Sequence, residues 1–341
     1  MSEHRLQKLA LVLFGAVVAL TLAELLLRGL NYSYTPLRIE TIKRYTEWRY
    51  FHSYEDRHFV YDPDLLWRPR PGTPLFNSQG YRGRELARTK SPTEIRIFAI
   101  GDSNTLGWYG ERDGNWPMYL EQILRHEYPG VTVQNGGVSG YSSFQGLRRF
   151  KEALRFQPDL VLFSFGANDA MHVTMADTEY ARRGQEWLAL ERMALRLRLG
   201  HLLRAALDRW SPGAGRRLVP RVSLDEYRAN LVEVVRTARE RNIAVVLLTR
   251  PFTGESPHEW WWKNFAAQYN DVVLDLASRL EVPAIDIFAA FQGRSELFID
   301  ESHLTEEGYR RMASIIHRRI QPLLQKKARV GAENRAGQNP L

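Results

Sequence analysis

The chain opens on one long apolar block and then settles into short apolar runs separated by amphipathic stretches. Residues Leu9 to Ala23 are apolar except for Gly15 and Thr21, and a helical pattern continues through Glu24 and Arg28 to Leu30. These 22 residues would rise about 33 Å as a helix, enough to cross a bilayer core. From Asn31 to about Pro92 no helical period is sustained. Turn signals (Asp62-Pro63, Arg70-Pro71-Gly72, Asn77-Ser78-Gln79-Gly80) punctuate a stretch rich in aromatics: Tyr45, Trp48, Tyr50, Phe51, Tyr54, Phe59, Tyr61 and Trp67. That pattern predicts short strands and loops whose aromatics pack against the domain that follows.

From Glu94 onward, five apolar runs of strand length alternate with helical patterns. The runs are Ile95–Ile100, Val131–Gln134, Leu160–Phe165, Ile243–Thr249 and Pro283–Ile287. Helices are expected over Trp116–Tyr128, Phe144–Phe156, from the capping box Ser223-Leu-Asp-Glu226 to Arg241, over Phe265–Leu280 and over Thr305–Ile320. Such alternation implies βαβ units, hence an α/β fold with a five-stranded parallel sheet covered on both faces. The expected organisation is an N-terminal membrane anchor (1–30), an aromatic-rich lead-in (31–92), the α/β domain (93–325) with a helical insertion (171–222), and a disordered basic tail (326–341). The insertion carries Trp187, Leu190, Met193, Ala194, Leu197, Leu199, Leu202, Leu203 and Leu207 close to one helical stripe. Such a stripe packs on a core, closes as a lid or lies on a membrane, and core packing is the default.

Composition narrows the classes. An apolar share of 44% over 341 residues is enough for a substantial core, and the absence of cysteine excludes disulfides and thiolate metal sites. The net charge of +8 is uneven, with arginines from Arg182 to Arg221 crowding the insertion. They would suit a polyanion or an anionic lipid surface, but a solvated helical face is the favoured reading, and no nucleic-acid partner is expected. Arg5 and Lys8 precede the apolar block, so a signal peptide competes with an anchor. No turn-former precedes Thr21–Ala23 and the helix pattern runs on, which favours an uncleaved anchor. Arg38, Lys43 and Arg44 follow the span, so charge alone does not orient it. An extracytoplasmic domain is the expected arrangement.

Candidate chemistry gathers where strands end. Gly101-Asp102-Ser103 follows the first run, Asn135-Gly-Gly-Val-Ser139-Gly140 the second, and Gly166-Ala-Asn168-Asp169 the third, while Asp300-Glu-Ser-His303 precedes the last helix. In open α/β sheets, ligands bind outside the carboxyl ends of the strands. Asp300 and His303 are three apart, close enough for a carboxylate to meet an imidazole, and the order Ser, Asp, His occurs in acyl-transfer triads. Taken singly, each loop has an ordinary explanation as a cap, a turn or a structural histidine. Other sites fail on inspection. Gly137-Val-Ser139-Gly-Tyr lacks the last glycine of a nucleophile elbow, and His258-Glu-Trp-Trp-Trp262 lacks a second histidine for zinc. Gly101 to Gly107 has neither the spacing nor the lysine of a phosphate loop. Asp300 and His303 have no evident third metal ligand, so no cofactor and no metal are expected.

Together the four blocks resemble the SGNH, or GDSL-type, hydrolase superfamily over about Arg96 to Ile320. Asn104 stands where that family's Leu would be, and Ala167 replaces the commoner second Gly of the third block. The resemblance implies a flavodoxin-like three-layer sandwich with Ser103 as nucleophile, His303 as its base and Asp300 orienting His303. The N–H groups of Ser103 and Gly140 and the Asn168 amide would form the oxyanion hole. The apolar helix followed by Phe76-Asn-Ser-Gln-Gly80-Tyr-Arg resembles membrane-anchored bacterial members. The implied function is a serine esterase removing acyl groups from a carbohydrate or lipid-linked substrate. An O-acyltransferase acting on an exported polysaccharide with the same triad, and a non-catalytic surface-bound binding module, are the alternatives. Trp260-Trp-Trp262 after the fourth strand could reach the mouth of the site and stack on a sugar, or lie buried beneath the insertion.

Overall fold

Five of the apolar runs form five adjacent strands. The computed structural model describes residues 3–32, 58–62, 65–107, 114–173, 176–182, 193–194, 196–210, 219–253 and 265–336. They divide into two units, Arg49–His172 with Pro220–Leu341, and Met1–Trp48 with Val173–Val219.

In the larger unit, β1 (Phe59–Asp62) and β2 (Leu66–Pro69) pair antiparallel. The sheet is built from β3 (Ile95–Gly101), β4 (Val131–Asn135), β5 (Leu160–Ser164), β6 (Ala244–Leu248) and β7 (Ala284–Ile285), every pairing parallel, in the order β4-β3-β5-β6-β7. This is the doubly wound order 2-1-3-4-5, whose switch point lies between β3 and β5. Residues alternate between faces along each strand, and both faces are buried. Ile97, Ala99, Val131, Val133, Leu160, Leu162, Val246 and Leu248 share a core with α3 (Trp116–Arg125), α8 (Ile287–Phe291) and α9 (Glu306–Ala336). On the other face lie α4 (Ser143–Ala153), α6 (Leu224–Arg239) and α7 (Ala267–Arg279), with Phe150, Leu231, Val235, Val273 and Leu276 buried. Helix α6 starts on the capping box, where Ser223 and Glu226 satisfy each other's N–H groups.

The lead-in residues from Leu65 pack into this same unit. Tyr81 is fully buried, edge-on to Phe98 (5.5 Å) and Phe156 (5.6 Å), with the Arg149 guanidinium 3.9 Å from its ring centre. Of the aromatics expected to pack, Phe59 and Trp67 are buried, whereas Tyr45, Trp48, Tyr50, Phe51 and Tyr54 lie outside the described residues.

Two expectations differ from the structure. Helix α9 does not stop at Ile320 but runs to Ala336, so residues 326–336 of the expected disordered tail are helical; 337–341 lie outside the described residues. Leu323-Leu-Gln-Lys-Lys-Ala-Arg329 is made of strong helix formers, and Leu324 still reaches the core. The insertion stripe, expected on the core, is exposed at Met193, Leu197, Leu202, Leu203 and Leu207; Trp187, Leu190 and Trp260–Trp262 lie outside the described residues.

The smaller unit contains α1 (Glu3–Gly29) and α5 (Arg198–Trp210). Residues His4–Gly29 of α1 are long and apolar enough to cross a membrane, and the most apolar 18-residue window within them has mean hydropathy 2.5 and is exposed.

Leu162 is fully buried in β5, flanked by β3 and β6. Leu162→Ala should lower unfolding free energy by about 2–5 kcal/mol through lost transfer and a residual cavity, measured by urea denaturation of the full chain in detergent.

Candidate active site

Strand β3 delivers Asp102 and Ser103 at its carboxyl end, where the short helix α2 (Ser103–Leu106) begins. Asp102 caps α2 by accepting the Asn104 N–H at 2.9 Å. The C-terminal side of this turn is held by Asn135, whose amide donates to the Thr105 carbonyl at 2.8 Å, and by Arg82, which donates to the carbonyls of Leu106 and Gly107. Gly137 passes so close that a Cβ would lie 2.3 Å from the Leu106 nitrogen, which is why a side chain is missing there.

His303 arrives from far along the chain, yet its Nε2 lies 2.8 Å from the Ser103 Oγ. Its Nδ1 lies 2.7 Å from the Asp300 Oδ2. An ionised carboxylate only accepts, so Nδ1 carries the proton and Nε2 is left to accept from the Ser103 hydroxyl. The other Asp300 oxygen accepts the N–H groups of Ser302 (2.9 Å) and His303 (2.8 Å), which folds the loop back on itself. Burial works against the charge on Asp300, but the His303 hydrogen bond and charge and these two N–H groups outweigh it. They hold its carboxyl well below the usual carboxylate range.

The remaining site residues come from neighbouring strands. Gly140, after β4, has φ +74°, in the left-handed region that glycine adopts without strain. Its carbonyl accepts from the buried Arg221 at 2.6 Å, and the Trp67 indole donates to the Ser139 carbonyl at 3.0 Å. Asn168, after β5, gives one amide N–H to the Tyr141 carbonyl at 3.0 Å, and among the described residues its second N–H has no acceptor. Asp169 beside it accepts from the Ser143 and Gly166 N–H groups. Among the described residues, no group accepts the N–H of Ser103 or Gly140. The arrangement can therefore deprotonate a hydroxyl while offering donors to a developing oxyanion. Among the described residues no cluster of His, Asp and Glu could hold a metal ion.

Residues 99–311 match the GDSL-like lipase/acylhydrolase family. The chain belongs to that family. It is 36% identical over 82 residues to an arylesterase of Vibrio mimicus, a match covering 24% of this chain and 41% of that one. The match thus spans about two fifths of the arylesterase's length. It is 22% identical over 215 residues to the uncharacterised lipoprotein YqeF of Bacillus subtilis, covering 57% and 71%. Among solved structures it is similar to a variant of an acetyl xylan esterase from Geobacillus stearothermophilus (20% identical, TM-score 0.46, covering 68% of this chain and 97% of that one). A GDSL-like lipase from Bacteroides thetaiotaomicron is similar at 17% identity and TM-score 0.44, covering 71% and 93%.

Two buried arginines escape a reading of the sequence. Arg250 follows β6, and its Nε lies 3.1 and 2.9 Å from the two Asp102 oxygens. Its Nη1 donates to the carbonyls of Pro251 (2.9 Å) and Ser302 (2.7 Å). One guanidinium thus joins the residue before Ser103 to the residue before His303. An arginine placed directly after a buried strand, at the site end of the sheet, is the only local signal. Arg221 counts in the sequence among the solvated arginines of the insertion, but it is fully buried under the Gly140 loop.

Removing the Arg250 charge leaves Asp102 buried without its partner. Arg250→Met should therefore cost about 3–5 kcal/mol of stability by denaturant titration, more than removal of an exposed arginine such as Arg279. For Asp300 the folded carboxyl titrates below its ordinary value of 3.8, so its stabilisation is complete above that value and fades as pH falls. The stability difference between the native chain and Asp300→Asn should shrink progressively as pH falls below about 4.

Proposed function

We propose that this chain is a membrane-anchored serine esterase in which Ser103 is the nucleophile, His303 the base and Asp300 the orienting residue. The observation that carries this is the continuous hydrogen-bonded chain Asp300–His303–Ser103 at the carboxyl end of the sheet. The Ser103 oxygen attacks the ester carbonyl while its proton passes to His303 Nε2, and the ionised Asp300 stabilises the imidazolium. As the tetrahedral intermediate collapses, the ester C–O bond breaks and His303 returns the proton to the leaving alkoxide. Water repeats the sequence on the acyl-serine, releasing the carboxylic acid and regenerating Ser103. The N–H groups of Ser103 and Gly140 and the second Asn168 N–H are donors for the oxyanion, worth about 3–4 kcal/mol each.

The substrate class we infer is an acylated carbohydrate or a lipid-linked ester, on the extracytoplasmic side. Support comes from the family resemblance of the front end and from α1, which as an uncleaved anchor would keep the enzyme at a membrane surface. The arylesterase relative supports aryl esters as first probes.

Ser103→Ala should abolish covalent labelling by a fluorophosphonate while leaving the fold intact; persistent labelling would move the nucleophile elsewhere, Ser139 first. On aryl esters and acetylated sugars, with acyl release and acyl transfer both followed, Asn168→Ala should lower kcat about 100- to 1000-fold with little change in KM. His303→Ala combined with Ser103→Ala should be no worse than either alone, because groups that act as a unit are not additive. Multiplied losses would remove the triad assignment.

A further inference from the structure

Helix α5 is amphipathic, but it stands the wrong way round for a helix on a water-soluble surface. Leu199, Leu202, Leu203, Ala206, Leu207 and Trp210 recur at helical spacing on one side. Leu199, at the start of the helix, is half-buried, but from Leu202 onward that side faces outward, with Leu202 46%, Leu203 59%, Leu207 56% and Trp210 86% exposed. The opposite side, with His201, Arg204 and Ala205, is the half-buried one. An inverted helix of this kind requires an apolar phase on its outer side.

Its attachment says which phase. The Glu24 carboxylate of α1 accepts the N–H groups of Arg198 (3.0 Å) and Leu199 (2.9 Å), the first donors of α5, and also pairs with Arg28 at 2.7 Å. These are donors that a helix cannot satisfy internally, and a carboxylate is the group that the helix dipole favours there. Along α1, Ala23, Glu24 and Leu27 are half-buried, whereas residues 4–22 are exposed throughout. Glu24 is the first charge after the Leu9–Ala23 apolar block, and its carboxylate, paired with Arg28 one turn on, belongs where such a span meets the headgroups. Helix α5 therefore starts at the depth where a bilayer turns polar.

We propose that α5 is a second membrane contact: an interfacial helix whose Leu202–Leu203–Leu207–Trp210 side lies in the headgroup–acyl boundary, seated by Glu24 of the anchor. The proposal is independent of the esterase chemistry and rests on α1 spanning the bilayer. Trp210 is of the residue type enriched at that depth. Arg209, exposed at the border of the stripe, is long enough to reach lipid phosphates.

The chain has no cysteine, so single-cysteine variants each carry one nitroxide. The full chain in vesicles of phosphatidylcholine and phosphatidylglycerol is labelled at Leu203→Cys, Leu207→Cys, Leu13→Cys in α1, and Asp225→Cys as an aqueous reference. Collision rates with oxygen and with a water-soluble nickel chelate are then compared. Labels at 203 and 207 should show an oxygen-to-nickel ratio several-fold above that at 225, approaching the ratio at 13. Adding Glu24→Ala should bring the 203 and 207 ratios toward the aqueous value and leave 13 unchanged. A lipid signature at 13 with an aqueous one at 203 and 207 would overturn the proposal and leave the anchor standing. Shielding of 203 and 207 from both reagents would mean that a protein surface, such as a second copy, covers the stripe, which also overturns it. An aqueous signature at 13 would remove the anchor and this proposal together, with the Ser103 labelling unaffected.

Discussion

The ion pair between Asp102 and Arg250 is the contact on which the geometry of the site depends. Both side chains are buried, so each charge has given up water and would be costly alone. The cost is offset because almost every polar position is used. Asp102 also caps α2, while Arg250 reaches the carbonyls of Pro251 and Ser302 and shares an exchange of hydrogen bonds with Asn270. The result is a rigid strut between two segments 200 residues apart at Ser103 and His303. A 2.8 Å separation between hydroxyl and imidazole is then a property of the backbone that holds them, and little reorganisation is needed when substrate arrives.

Topology supplies the rest. The order β4-β3-β5-β6-β7 reverses direction between β3 and β5, and the crevice at that reversal is flanked by the loops of Ser103 and Asn168. Gly140 enters from β4 on the other side of β3. The lead-in adds a brace, since the Trp67 indole holds the Ser139 carbonyl and the Tyr141 hydroxyl donates back to the Trp67 carbonyl at 2.7 Å. A segment without helical period thus serves the site by fixing the loop that would present an oxyanion donor.

The small unit illustrates a different constraint. Periodicity identifies which residues of α5 share a side, but the same stripe suits a protein core, a lid or a lipid surface. Core burial is the commonest outcome for such a stripe in a soluble domain. Here the side chains stay exposed, and the carboxylate that holds the helix belongs to an apolar helix 174 residues earlier in the chain.

Much of the architecture was legible from local pattern alone. Each sheet strand formed within a few residues of its apolar run, because a strand buried on both faces must be apolar throughout. The capping box set the start of α6 because its hydrogen bonds close within four residues. Asp300 and His303 were paired for the same reason, their contact being three residues long. At the C-terminal end, polar composition predicts disorder, whereas the helix formers from Leu323 to Arg329 extend α9. What only the tertiary structure decided are contacts whose partners lie far apart in the chain. The Arg250–Asp102 strut, Arg221 beneath Gly140, Trp67 on Ser139 and Glu24 at the start of α5 each join segments through one or two polar atoms. An arginine, a tryptophan or a glutamate carries no local mark of the partner that folding will bring to it. Burial and partnership are properties of the packed chain, and there the structure assigned roles that residue type and spacing leave open.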